Sequence, residues 1–331
     1  MKIVVDAMGG DHAPGVVIDG TLAAVKEYGA EVILVGDQTK IDPLLKKAKY
    51  SGNNIEVVHA PETIEMCESA ALSVRKKRNS SIVVGINLVK EGKAGAFFSA
   101  GNTGAVVCAA TLGLRMIPGV ERPGIAIITP TLKGISLIID VGANIDPKPN
   151  QLLQYAVMGD VYCRTILNKT NPSIGLLNIG EEEAKGPEFM RETHELLQKS
   201  NLNFIGNVEG KDFLSGKADI IVCDGFVGNV ALKVLESAAQ AMQVFLKRHL
   251  LSNALGKIGL LFLLPSLKRF KKELDYSEYG GAPLLGVNGV TIIGHGRSNV
   301  KAIKNAIRVA KEEVDRNFNE KITEAISKKL E

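Results

Sequence analysis

Ala94-Gly95-Ala96-Phe97-Phe98-Ser99-Ala100-Gly101-Asn102-Thr103-Gly104 carries the chain from an apolar run through a glycine turn, and a second apolar stretch, 105–116, follows it. The first run reads as a buried strand and the second as a helix, so the backbone turns from strand to helix between Ser99 and Gly104. Two glycines let main-chain N–H groups come close to a ligand. Asn102 and Thr103 add side-chain hydrogen-bond partners, and the helix start brings partial positive charge. These are the properties of an anion cradle. An ordinary glycine turn with a Thr or Asn cap uses the same residues, so the rest of the chain decides between them.

Working outward, short apolar runs at 3–5, 32–35, 55–58, 94–98, 125–128, 137–141, 174–179 and 220–222 alternate with helix-length segments. Runs without polar alternation suit strands buried on both faces, and intervening helices imply parallel pairing. The expected fold is a three-layer α/β/α sandwich with a mostly parallel sheet. With no linker and no internal repeat, residues 1–331 are expected to form one continuous domain or two intimate lobes. Successive runs end in loops that pair glycine with Asp, Asn or His: Asp6, Gly9, Gly10, Asp11 and His12; Ser99 to Gly104; Asp140 and Asn144; Asn178; Asp224, Gly225 and Asn229; and His295. In a parallel sheet such loops converge on one edge, where ligands bind.

The charge balance, 40 basic against 36 acidic residues, is too even for a nucleic-acid binder. Cys67, Cys108, Cys163 and Cys223 are far apart and form no Cys/His cluster, so no metal site or disulfide framework is expected and a reducing cytoplasm fits. Met1-Lys2 lead straight into the apolar run 3–5, from which no signal peptide is expected. The longest apolar block, 258–264, is far short of the roughly 20 residues that span a bilayer. G-x-x-x-x-G-K-[ST], G-x-G-x-x-G and G-x-S-x-G are absent, and His194-Glu195 fails H-E-x-x-H at Gln198. An anion-binding α/β enzyme is left, without an obvious side-chain nucleophile, metal cage or cofactor.

One segment departs from the alternation. Apolar residues recur at helical spacing from Leu232 to Leu246, followed by Leu260, Leu261, Phe262, Leu263 and Leu264, then Pro265 and the basic Lys268, Arg269, Lys271 and Lys272. No acidic residue lies between 237 and 272. The expectation is a projecting helical hairpin over 232–278 with an apolar tip and basic flanks. It serves as a core-docked or dimer-forming pair, or as a foot on an anionic membrane surface.

The motifs Asp6-Ala-Met-Gly-Gly-Asp11-His12-Ala-Pro14, Ser99 to Gly104, Asp140-Val-Gly-Ala-Asn144, Asp224-Gly-Phe-Val-Gly-Asn229 and Tyr279-Gly-Gly281, in that order, resemble the bacterial phosphate acyltransferase family of phospholipid synthesis. The likeness covers nearly the whole chain. It implies transfer of a fatty acyl group from acyl carrier protein to inorganic phosphate. It also implies a fold similar to phosphotransacetylases and to the isocitrate and isopropylmalate dehydrogenases, and a homodimer. Under it the protein is cytoplasmic, with peripheral association to the inner face of the cell membrane. The hairpin meets the membrane or the acidic carrier protein.

The residues agree with that chemistry. Phosphate is already a nucleophile and a thiolate is a good leaving group, so positioning and charge stabilisation suffice. Ser99, Gly101, Asn102, Thr103 and Gly104 are assigned to phosphate. His12, Asn102, Lys185 and Asn229 are the catalytic candidates, with His12 and His295 each also readable as turn histidines. Asp6, Asp11, Asp140 and Asp224 would repel phosphate directly, so they are expected to orient His12, Asn144, Asn229 or loop amides. Lys185 and Lys233 are the candidates for neutralising charge. The alternatives kept open are a phosphotransacetylase acting on a short acyl-coenzyme A and a non-catalytic membrane scaffold.

Overall fold

The computed structural model describes the backbone of residues 1–251, 254–273 and 275–330. It contains the strands β1 (Ile3–Asp6), β2 (Val32–Gly36), β3 (Ile55–His59), β4 (Ala96–Ser99), β5 (Gly124–Thr131), β6 (Gly134–Ile139), β7 (Ile174–Leu177), β8 (Phe204–Val208), β9 (Ile220–Val222), β10 (Ala282–Leu285) and β11 (Val290–Ile293). The helices are α1 (Gly15–Tyr28), α2 (Gln38–Lys47), α3 (Ala70–Lys76), α4 (Ser81–Lys90), α5 (Thr103–Gly113), α6 (Pro149–Thr165), α7 (Glu188–Gln198), α8 (Gly225–Leu250), α9 (Ala254–Glu273), α10 (Val300–Asp315) and α11 (Phe318–Leu330). All eleven strands share one sheet in the order β3-β2-β1-β4-β11-β10-β5-β6-β9-β7-β8.

Consecutive residues of the inner strands feed opposite layers, as a sheet covered on both faces requires. Ile3 and Val5 of β1 face the core under α1, α2 and α10, whereas Val4 faces α4 and α5. In β6, Leu137 and Ile139 pack with α6, α7 and α11, and Ile138 turns to the opposite face. That opposite core runs under both halves of the sheet, from Val4 and Phe97 to Ile221 and the base of α8 at Leu232 and Leu235.

Strand direction corrects one expectation. β1, β2, β3, β4 and β11 are mutually parallel, and so are β6, β7, β8 and β9. Between them β11–β10, β10–β5 and β5–β6 are all antiparallel. Three reversals leave the second half running opposite to the first, so the glycine-rich loops do not share one edge. The halves are instead staggered. Ile293, at the end of β11, pairs with Ala282; Leu284 pairs with Ile125; and Ile139, at the end of β6, pairs with Ala126. Continuing this register, the ends of β11 and β6 fall within about one residue of the same level. Three strand spacings separate them, roughly 14 Å.

The hairpin is present as α8 and α9, and α8 begins seven residues before the expected 232. Its helices are joined between Leu250 and Ala254, so Leu260 to Leu264 lie along the body of α9 rather than at the tip. The helix runs through Pro265 to Glu273. Phe262, Leu263, Leu264 and Arg269 are exposed, whereas the side chains of Leu261, Lys268, Lys271 and Lys272 lie outside the described residues. No described helix is long and apolar enough to cross a membrane.

A buried carboxyl sits where α10 meets α6. Glu313 is 2% exposed, shares a hydrogen bond with Tyr162, and leaves Oε1 without a partner. Burial, aided by nearby Glu312, pushes its pKa well above the ordinary 4.5. Because the folded value lies above the unfolded one, the stability this group contributes at low pH is lost as pH rises from the unfolded value through the folded one. Glu313→Gln keeps the shape and removes the ionisation. Its Tm advantage over the parent is expected to be larger at about pH 8 than at about pH 5 by scanning calorimetry, and a difference that shrinks over that range contradicts this.

Candidate functional site

Two clusters of strand-end loops stand at the stagger, one on each half of the sheet. In the first, β1 ends at Asp6, which is fully buried. Its Oδ2 accepts from Ser99 Oγ at 2.7 Å and its Oδ1 from Met8 N at 3.0 Å. Ser99 Oγ in turn accepts from Gly101 N at 3.0 Å. Burial lifts the Asp6 carboxyl above its usual range, opposed by hydrogen bonds from Ser81 and Ser99. The two loops are drawn so close that a Cβ on Gly9 would lie 2.6 Å from Asp6 Oδ2 and 2.7 Å from Gly101 N. Only glycine fits there.

Asn102 caps α5: its Oδ1 accepts from Ala105 N at 3.0 Å. Its Nδ2 donates to the carbonyls of Glu65, Met66 and Glu68 at 3.1–3.2 Å, which pins the loop before α3 across the helix start. Both ends of the Asn102 amide are thereby occupied by the protein. Gly101 N is taken by Ser99, Ala105 N by the cap, and Val106 N by Asn102 O. Thr103 and Gly104, the first two helical residues, have no intrahelical acceptor for their N–H groups, and both are exposed. The donors open to an anion are therefore those of Thr103 and Gly104, with the helix dipole behind them. The assignments to Ser99, Gly101 and the Asn102 side chain become structural ones: these groups shape the turn.

The Gly10 loop and the β11 loop close the same cluster, with Asp11 N donating to Gly296 O at 2.8 Å. His12 is exposed at its rim and lines a small cleft with Gly9, Gly10, Ala100 and Gly296. His295 is also exposed, and its Nδ1 accepts from Arg297 N at 3.1 Å. The pinned loop at Glu65–Glu68 was missed from sequence. Its only signal is a polar stretch ahead of the Ser69 cap of α3.

In the second cluster Asp140 plays the part of Asp6. Its carboxylate accepts from the backbone N–H groups of Ile125, Gly142, Ala143 and Asn144 at 2.7–3.1 Å. Burial outweighs these four donors and raises its pKa to about 6. Asn144 Nδ2 donates to Gln151 Oε1 and Tyr155 OH. Asp224 caps α8 by accepting from Val227 N at 2.8 Å, and Gly225 N donates to Asn144 O at 2.9 Å. Asn229, one turn further on, is exposed beside Gly142.

Two lysines are placed less favourably. Lys233 is exposed, one helical turn beyond Asn229, and ion-paired with Glu236 at 3.0 Å. Lys185 is exposed on the loop after β7, where Asn178 Nδ2 donates to its carbonyl and its aliphatic chain lies back over Gly180. Among the described residues no three His, Cys, Asp or Glu side chains group as a metal site.

The arrangement can hold an anion at α5 and present a second polar surface across the stagger. A phosphotransacetylase from Streptococcus pyogenes has the same architecture, with a TM-score of 0.64 at 18% identity over 95% of this chain and 94% of that one. The protein is thus an α/β/α protein of the phosphotransacetylase fold. Its sequence relatives are nearer. The phosphate acyltransferase of Heliobacterium modesticaldum is 50% identical over 332 residues, covering 100% of this chain and 99% of its own length. That of Desulfitobacterium hafniense (strain DSM 10664 / DCB-2) is 52% identical over 323 residues, covering 97% and 96%. The family described as fatty acid synthesis protein matches residues 1–321. The chain belongs to this family, with the phosphate acyltransferases.

The tightest joint of the second cluster is Gly228, where a Cβ would stand 2.0 Å from the Asp140 carbonyl oxygen. Gly228→Ala is expected to destabilise by about 1–3 kcal/mol in urea unfolding, because backbone must move. Gly259→Ala, with nothing within 4 Å of its Cβ, is expected to be neutral or to stabilise by up to about 1 kcal/mol. Equal effects at the two sites contradict the packing described.

Proposed function

We propose that the protein is an acyltransferase that moves a long-chain fatty acyl group from acyl carrier protein to inorganic phosphate, giving acyl phosphate for phospholipid synthesis. The observation that carries this reading is the exposed first turn of α5, whose Thr103 and Gly104 N–H groups stand open. It does so in a chain that is half identical over its full length to phosphate acyltransferases.

Phosphate held at α5 attacks the thioester carbonyl of the donor. A carbon–oxygen bond forms, the carbonyl oxygen takes up the negative charge, and collapse of the tetrahedral species breaks the carbon–sulfur bond. The proton of monohydrogen phosphate passes to the departing thiolate, leaving acyl phosphate and a free thiol. Because nucleophile and leaving group are both competent near neutral pH, the protein's task is to position them and to receive the oxyanion. His12 at the rim of the α5 cluster is the candidate for carrying the proton. Asn229 and the α8 start face the carbonyl from the second cluster. Lys185 keeps a supporting place as a charge on the neighbouring loop.

The exposed apolar side chains of the hairpin, Met242, Phe245, Phe262, Leu263 and Phe270 among them, support a covered working state. In this reading the protein is a cytoplasmic homodimer. It rests peripherally on the inner face of the membrane through the hairpin, with Arg269 among the cations that meet headgroups or the acidic carrier.

The test uses thiol release from a long-chain acyl-acyl carrier protein, with and without phosphate. Thr103→Pro removes one N–H at the first helical position, where proline is tolerated. It is expected to raise KM for phosphate about tenfold or more, and Thr103→Ala by less. Release from a short acyl-coenzyme A alone points to the phosphotransacetylase reading. No release from either donor leaves the scaffold reading.

A further inference from the structure

The second cluster carries an apolar collar that the polar chemistry leaves unused. Each of its three strand-end loops sets a large apolar residue in solvent directly after a polar or glycine residue of the cluster. Ile145, after Asn144, is 69% exposed; Ile179, after Asn178, is 80% exposed; and Phe226, after Gly225, is 62% exposed. Single exposed apolar residues are ordinary on any surface, whereas several together on one site are not.

The fold places these three side by side. β6, β9 and β7 are neighbours in the sheet, and Ile139, Val222 and Leu176 are level across them. The hydrogen bond from Gly225 N to Asn144 O joins the residues immediately before Phe226 and Ile145. Asp140 fixes the first of these loops through Gly142, Ala143 and Asn144. On the other flank Asn178 Oδ1 accepts from Ile179 N at 2.8 Å, and Asn178 Nδ2 donates to Lys185 O at 3.0 Å. Each apolar side chain is therefore presented outward from a loop that is itself tied down, not left out by a loose segment. Val227 and Val230, both exposed, extend the surface along the first turn of α8.

We infer that Ile145, Ile179 and Phe226 form the surface that takes the hydrocarbon chain of the acyl donor. This rests on the proposed acyl transfer. With phosphate at α5 on one half of the sheet, the thioester carbonyl meets the polar residues of the second cluster. The atoms beyond the carbonyl then run onto the residues next in sequence to them. The collar gains contacts with each added methylene, so it sets a preference for long chains over short ones.

The test compares kcat/KM for hexadecanoyl and butanoyl donors in the parent and in Ile179→Ser/Phe226→Ser. The ratio of long to short is expected to fall about tenfold or more, and to recover in Ile179→Leu/Phe226→Leu. An unchanged ratio overturns the inference. A second readout does not depend on catalysis: cis-parinaric acid, a fluorescent eighteen-carbon fatty acid, is expected to bind the parent and to bind the serine variant at least about tenfold more weakly. Equal binding overturns the assignment even if the variant is inactive. Loss of a dimer in the serine variant by sedimentation, with the ratio unchanged, assigns the surface to a second copy of the chain instead. A parent that releases no thiol from any donor in a phosphate-dependent way, yet binds parinaric acid at the collar, overturns the acyl-transfer reading and leaves an apolar-chain site standing.

Discussion

Backbone pairing through β10 is the constraint on which the rest of the structure depends. This four-residue strand pairs antiparallel on both sides, with β11 through Ala282 and Pro283 and with β5 through Leu284 and Leu285. It joins one half of the sheet to the other; its two antiparallel pairings cancel in direction, and the third, between β5 and β6, leaves the second half running opposite to the first. Had the halves met in parallel, every strand-end loop would lie on one edge. The reversal and the stagger bring two different sets of loops to the middle of the sheet. One is built around a helix start with open N–H groups, the other around amides and apolar side chains. A reaction that joins a dianion to a greasy acyl group needs two surfaces of this kind.

Each set is organised by a buried carboxylate turned to the protein's own loop groups. Asp6 and Asp140 are 1% and 0% exposed, and both spend their oxygens on neighbouring loop groups. Burying a carboxylate is costly, as the raised pKa values of both groups show. The cost is offset by the donors each one collects, and what results is a pair of rigid loops. Asp224 repeats the device at lower burial as the cap of α8. Catalysis by positioning depends on such rigidity, since a shift of an ångström or so in a reacting group is enough to lose much of the rate.

Much of this was legible in the chain. All eight apolar runs became strands, and the strand-turn-helix around Ser99 to Gly104 stands as read, because local pattern and tertiary placement agree there. Three strands were not read. β8 holds Gly206 and Asn207 and β10 holds Pro283, so both lack the run of β-formers that marks a strand, whereas β11, Val290-Thr291-Ile292-Ile293, is wholly β-branched and was legible as a short strand between its glycines. The reversal of direction is a property of non-local pairing and leaves no local mark. The same holds for Asn102. Its type and position announced a cap, but its hold on the carbonyls of Glu65, Met66 and Glu68, more than thirty residues earlier, appears only once the chain is folded. The hairpin was visible as composition, whereas the apolar block Leu260 to Leu264, read as its tip, lies within α9.

The proposed seat of phosphate is the start of α5, on the first half of the sheet. A crystal structure of the full chain grown with inorganic phosphate tests this most directly. The expected result is a phosphate whose oxygens accept from Thr103 N and Gly104 N at about 2.7–3.1 Å, with Asn102 still holding the loop at Glu65–Glu68. Phosphate seated at the start of α8, or an α5 start left empty while phosphate is bound elsewhere in the stagger, contradicts it.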